Sequence, residues 1–508
     1  MLLSTWRRQS AQQKVADLTL MSNDNEVHVM RETRKLPLVV DLDGTLITSD
    51  TLMESVIRAV KHRPANLLRL PFWLIGGRAS FKSKVAGQVD FRAETLPYRQ
   101  SLVEYLVRER EAGRRIVLAT AAHRSIAERV NAHLGLFDVV IATTGTTNLK
   151  SEAKLAGIRQ RVGDDFVYAG DSKADVPIWT GAKGAILAGV APGIAADVRG
   201  KIPIEREFSN ERVGLSTWLK ALRVHQWLKN LLLFVPILTA FAFFDVAKVA
   251  TLVLAFLSMS LAASATYIGN DLWDLDNDRR HPRKRNRAFA NGTLSITQGL
   301  RAAALLLVLA FVLAFAVSPG FTGMLALYLA LTTAYSWRLK SVVLLDVIVL
   351  SLLYTHRIVA GAIAADIPVS RWLLAFSVFA FLSLALVKRC SELVVLRQTG
   401  RRASAGRDYR VDDLEVLWPF GIGASLAAVV VFGQFINAPE TVARYTIPHL
   451  LWFVQIGLVY LFGKLWIATV RGVMHDDPVI HIVENRGCFG MLCIMVALVL
   501  AAHFLPVL

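Results

Sequence analysis

Four side chains that could hold a metal ion stand between a long apolar run, Leu252 to Ile268, and a basic run, Arg279 to Arg287. They are Asn270, Asp271, Asp274 and Asp278. On a helix, positions three or four apart share one face, so these oxygen atoms can point the same way. Carboxylates at the end of an apolar helix are costly without a partner, and such oxygens suit Mg²⁺, which binds diphosphates. The spacing therefore predicts a Mg²⁺ site for a diphosphate rather than a solvated helix end.

The composition is uneven along the 508 residues. Residues 1–225 are typical of soluble sequence, whereas apolar runs dominate residues 228–508 and raise the apolar share to 54%. The formal charge of +17 lies mostly in short loops between those runs, without the basic stripe and interleaved aromatic residues of a nucleic-acid surface. The three cysteines have no paired spacing, which argues against a disulfide framework or a zinc site.

Nine apolar runs predict an all-α integral membrane bundle of nine transmembrane helices, since one span needs about 20 residues. Lysine and arginine concentrate in the loops after the second, fourth, sixth and eighth runs, so the positive-inside rule places these loops and the N-terminal half on the cytoplasmic side of the inner membrane. The acidic and basic clusters all fall in these cytoplasmic loops. This predicts an active site at the cytoplasmic end of the bundle for a charged donor, with an apolar acceptor entering from the lipid. A transporter would carry polar residues deeper and on both faces. The runs are roughly 230–246, 249–269, 299–318, 321–336, 342–363, 371–387, 417–436, 448–469 and 488–506.

Three predicted strands in the first half each end in a polar side chain. Asp41 and Asp43 end the first strand, Thr120 ends the second, and Asp171 ends the third with Asp175 one turn later. Strand and helix patterns alternate over residues 36–200, which predicts an α/β Rossmann-like, doubly wound parallel sheet whose carboxyl strand ends meet at one edge.

The domain organisation follows from these patterns. We predict a lead-in over 1–34, an α/β domain over 35–205 with a small helical cap at about 50–110, a linker over 206–225 and a membrane domain over 226–508. The apolar segment Leu67 to Ile75 within the cap is too short to span a bilayer, so we expect it to rest on the membrane half or to shape a pocket for a lipid-linked substrate.

The order Asp-x-Asp, Thr, Lys, Gly-Asp-x-x-x-Asp resembles the haloacid dehalogenase (HAD) phosphatase superfamily across residues 36–200. The resemblance implies a phosphoaspartyl mechanism, with Asp41 as nucleophile and Asp43 as general acid and then general base. It implies one Mg²⁺ held by Asp41 and Asp171, with Asp175 orienting that shell.

Two further residues would hold the phosphoryl oxygens in such a site. The resemblance assigns this role to Thr120 and to a lysine. Lys150 matches the usual Lys-Gly-Glu pattern best, with Ser151 in place of glycine, and Lys154 is the alternative. A degenerate domain that is kept only for stability is the competing interpretation.

The acidic row after the second of nine spans resembles the UbiA-type intramembrane prenyltransferase superfamily over about residues 215–508. Most members of that superfamily transfer an isoprenoid from its diphosphate to an aromatic ring, and they carry a second acidic pair between the fourth and fifth spans. Here the segment Tyr335 to Asp346 offers a single Asp. This departure argues against a prenyl diphosphate donor.

Three other segments resemble the polyprenyl-phosphate phosphoribosyltransferase branch: Arg223–Asn230, His281–Arg287, and Leu345-Asp346 followed by His356–Gly361. The resemblance implies phosphoribosyl diphosphate as donor and a polyprenyl phosphate, such as decaprenyl phosphate, as acceptor. An acidic row beside several cations suits a donor that has both a diphosphate and a separate 5-phosphate, although positive-inside topology explains some of the cations. The predicted substrate-binding residues are Arg223, Lys229, Asn230, Lys284, Arg285, Arg287, Tyr335, Lys340, Asp346, Arg357, Lys388 and Arg389.

The predicted function joins the two halves. The membrane domain, with one or more Mg²⁺ on its acidic row and with Asp274 and Asp278 as its catalytic acids, would form polyprenyl-phosphoryl ribose 5-phosphate in the lipid bilayer, and the HAD domain would remove the 5-phosphate. Two alternatives stay open: an aromatic, quinone-type prenyltransferase with an attached phosphatase, and a transporter or scaffold with a regulatory HAD domain. No nucleic-acid partner is expected, and homo-oligomerisation is compatible with the sequence.

Overall fold

The computed structural model describes residues 35–145, 147–210, 213–400, 407–474 and 478–506, and the predicted lead-in over 1–34 lies outside them. The chain forms two compact units. Among the described residues, the first comprises those up to Thr217 together with Asp271–Gly299, and the second comprises Trp218–Asn270 and those from Leu300 onward. The loop that carries three of the four residues of the acidic row therefore belongs to the same compact unit as the α/β domain.

A six-stranded sheet forms the centre of the first unit, in the order β3-β2-β1-β4-β5-β6, and all its strand pairs are parallel. Its inner strands are apolar runs buried on both faces, as parallel strands covered by helices must be. This confirms the predicted parallel sheet. The strands are β1 Leu38–Val40, β2 Ile116–His123, β3 Val139–Thr143, β4 Val167–Gly170, β5 Gly184–Ala188 and β6 Ile204–Phe208.

Helices cover both faces of this sheet, and alternate residues of β1 pack into two separate apolar cores. Leu38 packs in a cluster with Leu102 and Phe137, whereas Val39 packs in a second cluster with Trp179. The helices of this half are α1 Thr51–His62, α2 Asn66–Ile75, α3 Arg78–Ala86, α4 Gln100–Glu111, α5 Arg124–Leu134, α6 Glu152–Val162, α7 Val176–Thr180 and α8 Pro192–Arg199.

Helices α1 to α3 occupy the predicted cap region. Asp50 caps the start of α1 by accepting a hydrogen bond from the Met53 backbone N–H. Helix α2 is apolar but hardly covered: the exposed fractions of Leu68, Phe72 and Ile75 are 76%, 71% and 83%.

The second half of the chain is helical. Its helices are α9 Leu215–Ala221, α10 Val235–Thr239, α11 Val246–Trp273, α12 Leu275–Arg280, α13 Ile296–Val317, α14 Pro319–Trp337, α15 Leu345–Ala364, α16 Arg371–Gln398, α17 Leu414–Ile436, α18 Pro439–Arg444, α19 Leu451–Val470, α20 Pro478–Glu484 and α21 Arg486–Phe504. A 3₁₀ segment, Val224–Phe234, precedes α10.

Seven segments among the described residues are long and apolar enough to cross a membrane: α11, α13, α15, α16, Val411–Ile436, Pro448–Val470 and α21. Of the other two predicted runs, the fourth forms the 19-residue α14, while the first forms the 3₁₀ segment and the short α10. The helical membrane region is confirmed, and nine crossings stay a prediction.

Helix α15 is the most buried of these seven segments, with 67% of its apolar window covered. It packs directly on the 3₁₀ segment at Gly361, where an added Cβ would lie 2.0 Å from the Leu233 carbonyl oxygen. Only glycine permits this approach. The contact brings the polar residues of α15 and of the 3₁₀ segment to one place in the second unit.

Candidate active sites

Three carboxylates meet at the carboxyl edge of the sheet in the first unit. Asp41 follows β1, Asp171 follows β4, and β1 and β4 are adjacent parallel strands. Together with Asp175, from the turn after β4, they place ligand oxygens within 4.8 Å of one another. Gly44 has a φ of +78°, and an added Cβ there would lie 2.1 Å from Asp171 Oδ2, so the turn after Asp41 requires glycine.

A buried lysine neutralises part of this cluster, and it is Lys154. Its Nζ lies 2.9 Å from Asp41 Oδ2 and 3.3 Å from Asp175 Oδ1, and its side chain is 4% exposed. Lys150, the residue that matched the family pattern best, is exposed, because it stands two residues before α6 begins at Glu152. The geometry therefore favours the alternative, Lys154, over Lys150.

Burial controls the protonation of the acids. It raises the pKa of Asp41 to about 6, against the opposing effect of Lys154, and the pKa of Asp171 to about 7. A divalent cation would relieve the mutual repulsion of these carboxylates, and oxygen ligands at this separation fit Mg²⁺. The residues present therefore suit the metal that the motif implies.

Asp43 and Thr120 lie at the same edge. Asp43 accepts hydrogen bonds from the Thr51 backbone N–H at 2.8 Å and from Thr51 Oγ1 at 3.2 Å, and burial raises its pKa well above the usual value. An acid with a raised pKa can carry a proton at neutral pH, as a general acid must. Thr120 is fully buried in β2, and its Oγ1 accepts a hydrogen bond from the Ala122 N–H.

Lys82 is a basic residue that the sequence did not single out. From α3 its Nζ donates to the Ala121 carbonyl oxygen at 2.6 Å and to Asn148 Oδ1 at 2.8 Å. Burial lowers its pKa, while the negative charges of Asp43 and Asp50 oppose that shift. Its position depends on how the cap packs, which the local sequence does not signal.

The acidic row does not lie on one continuous helix. Helix α11 ends at Trp273 and α12 begins at Leu275, with Asp274 between them at a φ of −101° and a ψ of 14°. The expectation of a single helical face is thus corrected, because the break turns the residues after Asp274. Asn270 remains in the last turn of α11.

Asp271 and Asp278 still come together, and Arg287 joins them. Arg287 Nη1 donates to Asp271 Oδ1 at 3.1 Å and to Asp278 Oδ2 at 2.7 Å, and both carboxylates are buried. Lys284 and Arg285 lie exposed on the short turn that precedes Arg287. Three of the predicted site residues therefore form one cluster of alternating charge.

In the second unit, the single Asp346 is fully buried and its carboxylate accepts three hydrogen bonds. Arg389 Nη2 donates to Oδ2 at 2.6 Å, while Tyr409 OH at 2.5 Å and the Val347 N–H at 2.7 Å donate to Oδ1. Arg389 also pairs with Glu392. Tyr409 was not among the predicted residues, because it lies 63 positions from Asp346 in sequence.

Five other predicted residues of this unit lie at separate positions. Tyr335 lies in the last turn of α14, Lys340 in the turn Leu339–Ser341, and Lys388 beside Arg389 in α16. Arg223 stacks on Tyr267, with its guanidinium carbon 4.8 Å from the ring centroid, and Lys229 lies 6.0 Å from the Tyr354 ring.

Arg357 is buried in α15 among neutral groups. Its Nε donates to Asn230 Oδ1 at 2.9 Å and its Nη1 to the Leu353 carbonyl oxygen at 2.6 Å, and its guanidinium lies over the ring of Tyr328. Asn230 in turn donates to Ser260 Oγ. A buried cation whose named partners are uncharged favours binding of an anion, because an uncompensated buried charge is costly.

Comparison with known proteins identifies both halves. Residues 231–469 match the UbiA prenyltransferase family, and residues 38–179 match the haloacid dehalogenase-like hydrolases. An uncharacterized protein of Sinorhizobium fredii, y4nM, is 38% identical over 456 residues, covering 89% of this chain and 88% of that one. The nodulation protein NoeC of Azorhizobium caulinodans is 37% identical over 285 residues, covering 56% of this chain and 92% of NoeC.

A third relative bears on the branch of the family. The decaprenyl-phosphate phosphoribosyltransferase of Mycolicibacterium smegmatis is 35% identical over 224 residues, covering 43% of this chain and 70% of that protein. The chain belongs to the UbiA prenyltransferase family and carries a HAD hydrolase domain on its N-terminal side. It is a multi-pass membrane enzyme, and both predicted resemblances are confirmed.

Proposed function

We propose that this enzyme transfers phosphoribose from phosphoribosyl diphosphate to a polyprenyl phosphate, and that its HAD domain removes the 5-phosphate to leave polyprenyl-phosphoryl ribose. The observation that carries the proposal is the network of Asp346, Arg389 and Tyr409. A carboxylate whose two oxygens already accept three hydrogen bonds is a poor metal ligand. A second Mg²⁺ for a prenyl diphosphate is therefore disfavoured there, because Arg389 already neutralises Asp346.

The donor site combines the acidic row with cations. Asn270, Asp271, Asp274 and Asp278 would hold Mg²⁺, which supplies charge neutralisation for the leaving diphosphate. An oxygen of the acceptor phosphate attacks the anomeric carbon of the ribose from the opposite face as the carbon–oxygen bond to the diphosphate breaks. Arg287, between Asp271 and Asp278, can exchange those carboxylates for oxygens of the donor.

The other cations would bind the 5-phosphate of the donor and the phosphate of the acceptor. In this role we place Arg357 with Asn230, then Lys229 and Arg223. Lys284 and Arg285 join them from residues 271–292, which we call the donor loop. Tyr335, Lys340, Lys388 and Arg389 complete the proposed set. The burial of Arg357 among neutral partners supports this assignment most directly.

In the HAD site, an Asp41 oxygen attacks phosphorus to form an aspartyl phosphate while the ribose 5-oxygen leaves. Asp43 donates the proton that this oxygen needs, then removes a proton from the water that hydrolyses the intermediate. Lys154 and Thr120 would hold the phosphoryl oxygens. Asp171 and Asp175 complete the carboxylate set for one Mg²⁺.

The topology belongs to the same proposal. We place nine crossings in the inner membrane, with both sites on the cytoplasmic side. The exposed apolar helix α2 supports a phosphatase that works at a lipid surface.

A transfer assay tests the proposal. Purified protein is incubated with Mg²⁺, labelled phosphoribosyl diphosphate and a polyprenyl phosphate, and the lipid is extracted. We expect the label in the lipid phase, and loss of that label by at least about 100-fold in Asp278→Asn, since the variant removes a charge that acts on the leaving group. Transfer from an isoprenyl diphosphate to an aromatic acceptor, without transfer from phosphoribosyl diphosphate, would refute it.

A further inference from the structure

A set of ion pairs that the proposed chemistry does not use joins α1 to the donor loop, residues 271–292. Arg58 donates through Nε to Asp276 Oδ2 at 3.0 Å and through Nη2 to Oδ1 at 2.6 Å, a two-point guanidinium–carboxylate pair. One turn earlier, Glu54 accepts from Arg279 Nη1 at 3.0 Å and from Nη2 at 2.8 Å. The side chains of Glu54 and Arg279 are 2% and 7% exposed, so this pair is shielded from solvent.

The contact continues at both ends of α1. Lys61, two turns after Glu54, donates to the Trp273 carbonyl oxygen at 2.7 Å. Thr48, just before α1, donates to the Asn291 carbonyl oxygen at 3.3 Å. An added Cβ at Gly292 would lie 1.9 Å from Thr48 Oγ1, so the loop approaches as closely as glycine allows. We call the residues Thr48, Glu54, Arg58 and Lys61 the docking face.

Two sets of charged residues in the donor loop have different ion-pair partners. Asp271 and Asp278 are bound by Arg287, within the loop itself, whereas Asp276 and Arg279 are bound by the docking face. Asp274, a proposed Mg²⁺ ligand, lies 3.5 Å from Lys61 Nζ, so the docking face also contacts one residue of the donor site. Positions 276 and 278 are only two residues apart, so movement at one displaces the other.

The docking face is also connected to the phosphatase site. Thr51, the first residue of α1, donates through its backbone N–H and through Oγ1 to Asp43. A single helix of twelve residues therefore holds the proposed general acid at its first residue and the donor loop along its later turns.

We propose that α1 of the HAD domain positions the donor loop of the transferase, with Glu54 and Arg58 as positioning residues that hold Asp271 and Asp278 in place for the donor. The donor site would then depend on a domain that performs a different reaction. Because the activity part of this inference rests on the proposed transfer, its test needs a structural readout as well.

The experiment is a double-mutant cycle in the full-length protein: Arg58→Ala, Asp276→Ala and the pair together. Hydrogen exchange of residues 275–292 is followed by mass spectrometry, beside the KM for phosphoribosyl diphosphate and the hydrolysis of a soluble aryl phosphate. Asp90→Asn is the matched control, because it removes a surface ion pair with Arg129 in the same unit that does not involve the loop. Asp276→Asn serves as a milder variant if an alanine variant fails to fold.

We expect each single variant to raise the exchange rate of the loop and the KM for the donor about tenfold, the scale of one charged hydrogen-bonded pair. In the double variant, neither the exchange rate nor the KM should rise further than in the more affected single variant, since both substitutions remove the same interaction. Hydrolysis of the aryl phosphate and the behaviour of Asp90→Asn should match the wild type. Unchanged loop exchange in both single variants would overturn the inference. A wild type that transfers no phosphoribose would refute the proposed function instead, and loop exchange would still decide the docking role.

Discussion

At the residue scale, some roles in the HAD site can be assigned to residues from the sequence alone and others cannot. The meeting of Asp41 with Asp171 was predictable, because carboxyl ends of adjacent parallel strands lie together. The choice of lysine was not, since it depends on where α6 begins. Ser151 has a positive φ of 47° and the helix starts after it, which leaves Lys150 outside and carries Lys154 inward.

The two lysines provide a matched pair of variants. Lys154→Met should reduce hydrolysis of a phosphomonoester at least about 100-fold, because it removes a buried cation beside the nucleophile. Lys150→Met should stay within about threefold of the wild type, as an exposed substitution. Steady-state hydrolysis of an aryl phosphate measures both. A larger loss in Lys150→Met than in Lys154→Met would restore the original assignment.

Protonation at this site should compete with Mg²⁺. The pKa values of Asp41 and Asp171 are raised by burial to about 6 and about 7, so metal-free protein binds protons there as pH falls. Since the metal binds the ionised carboxylates, its apparent affinity should fall as pH drops from 8 to 6. The difference in titration calorimetry between the wild type and Asp171→Asn, which lacks one carboxylate of the HAD site, measures this effect. An affinity independent of pH over that interval would contradict it.

At the element scale, the membrane half was predictable in outline and not in its details. Apolar runs of spanning length predicted α11, α13 and α15, because length and composition alone decide whether a helix can cross a bilayer. The break at Asp274 and the 3₁₀ segment were not predictable, since tertiary contacts set both. The hydrogen bonds of Asp346 were equally unpredictable, because Tyr409 comes from a distant part of the chain.

Helix α2 allows a test of the lipid-linked substrate. The substitutions Leu68→Ser and Phe72→Ser together remove two side chains that are 76% and 71% exposed and contribute little to the core. Hydrolysis of the 5-phosphate from the lipid product in vesicles should fall about tenfold, because an apolar surface helix contributes to membrane binding. Hydrolysis of a soluble aryl phosphate should not change. Val107→Ser, an exposed apolar residue on α4, is the control, and equal losses on both substrates would indicate misfolding rather than lipid contact.

At the scale of the whole molecule, the functions that we propose for the two domains are consecutive reactions. The product proposed for the transferase carries the phosphomonoester that a HAD phosphatase removes, and a tether raises the local concentration of one site's product at the other. The sequence predicted this pairing through its motifs. It did not predict that residues 271–299 would fold into the same compact unit as the α/β domain, because that depends on the ion pairs of α1.

The most direct measurement compares the wild type with Asp41→Asn in the transfer assay, and identifies the extracted lipid by mass spectrometry. We predict that both proteins place phosphoribose on the polyprenyl phosphate. The wild type should accumulate polyprenyl-phosphoryl ribose, and Asp41→Asn should accumulate the 5-phosphate form, because only the nucleophile of the second reaction is missing. The same lipid product from both proteins, or no phosphoribose on lipid from either, would contradict the account.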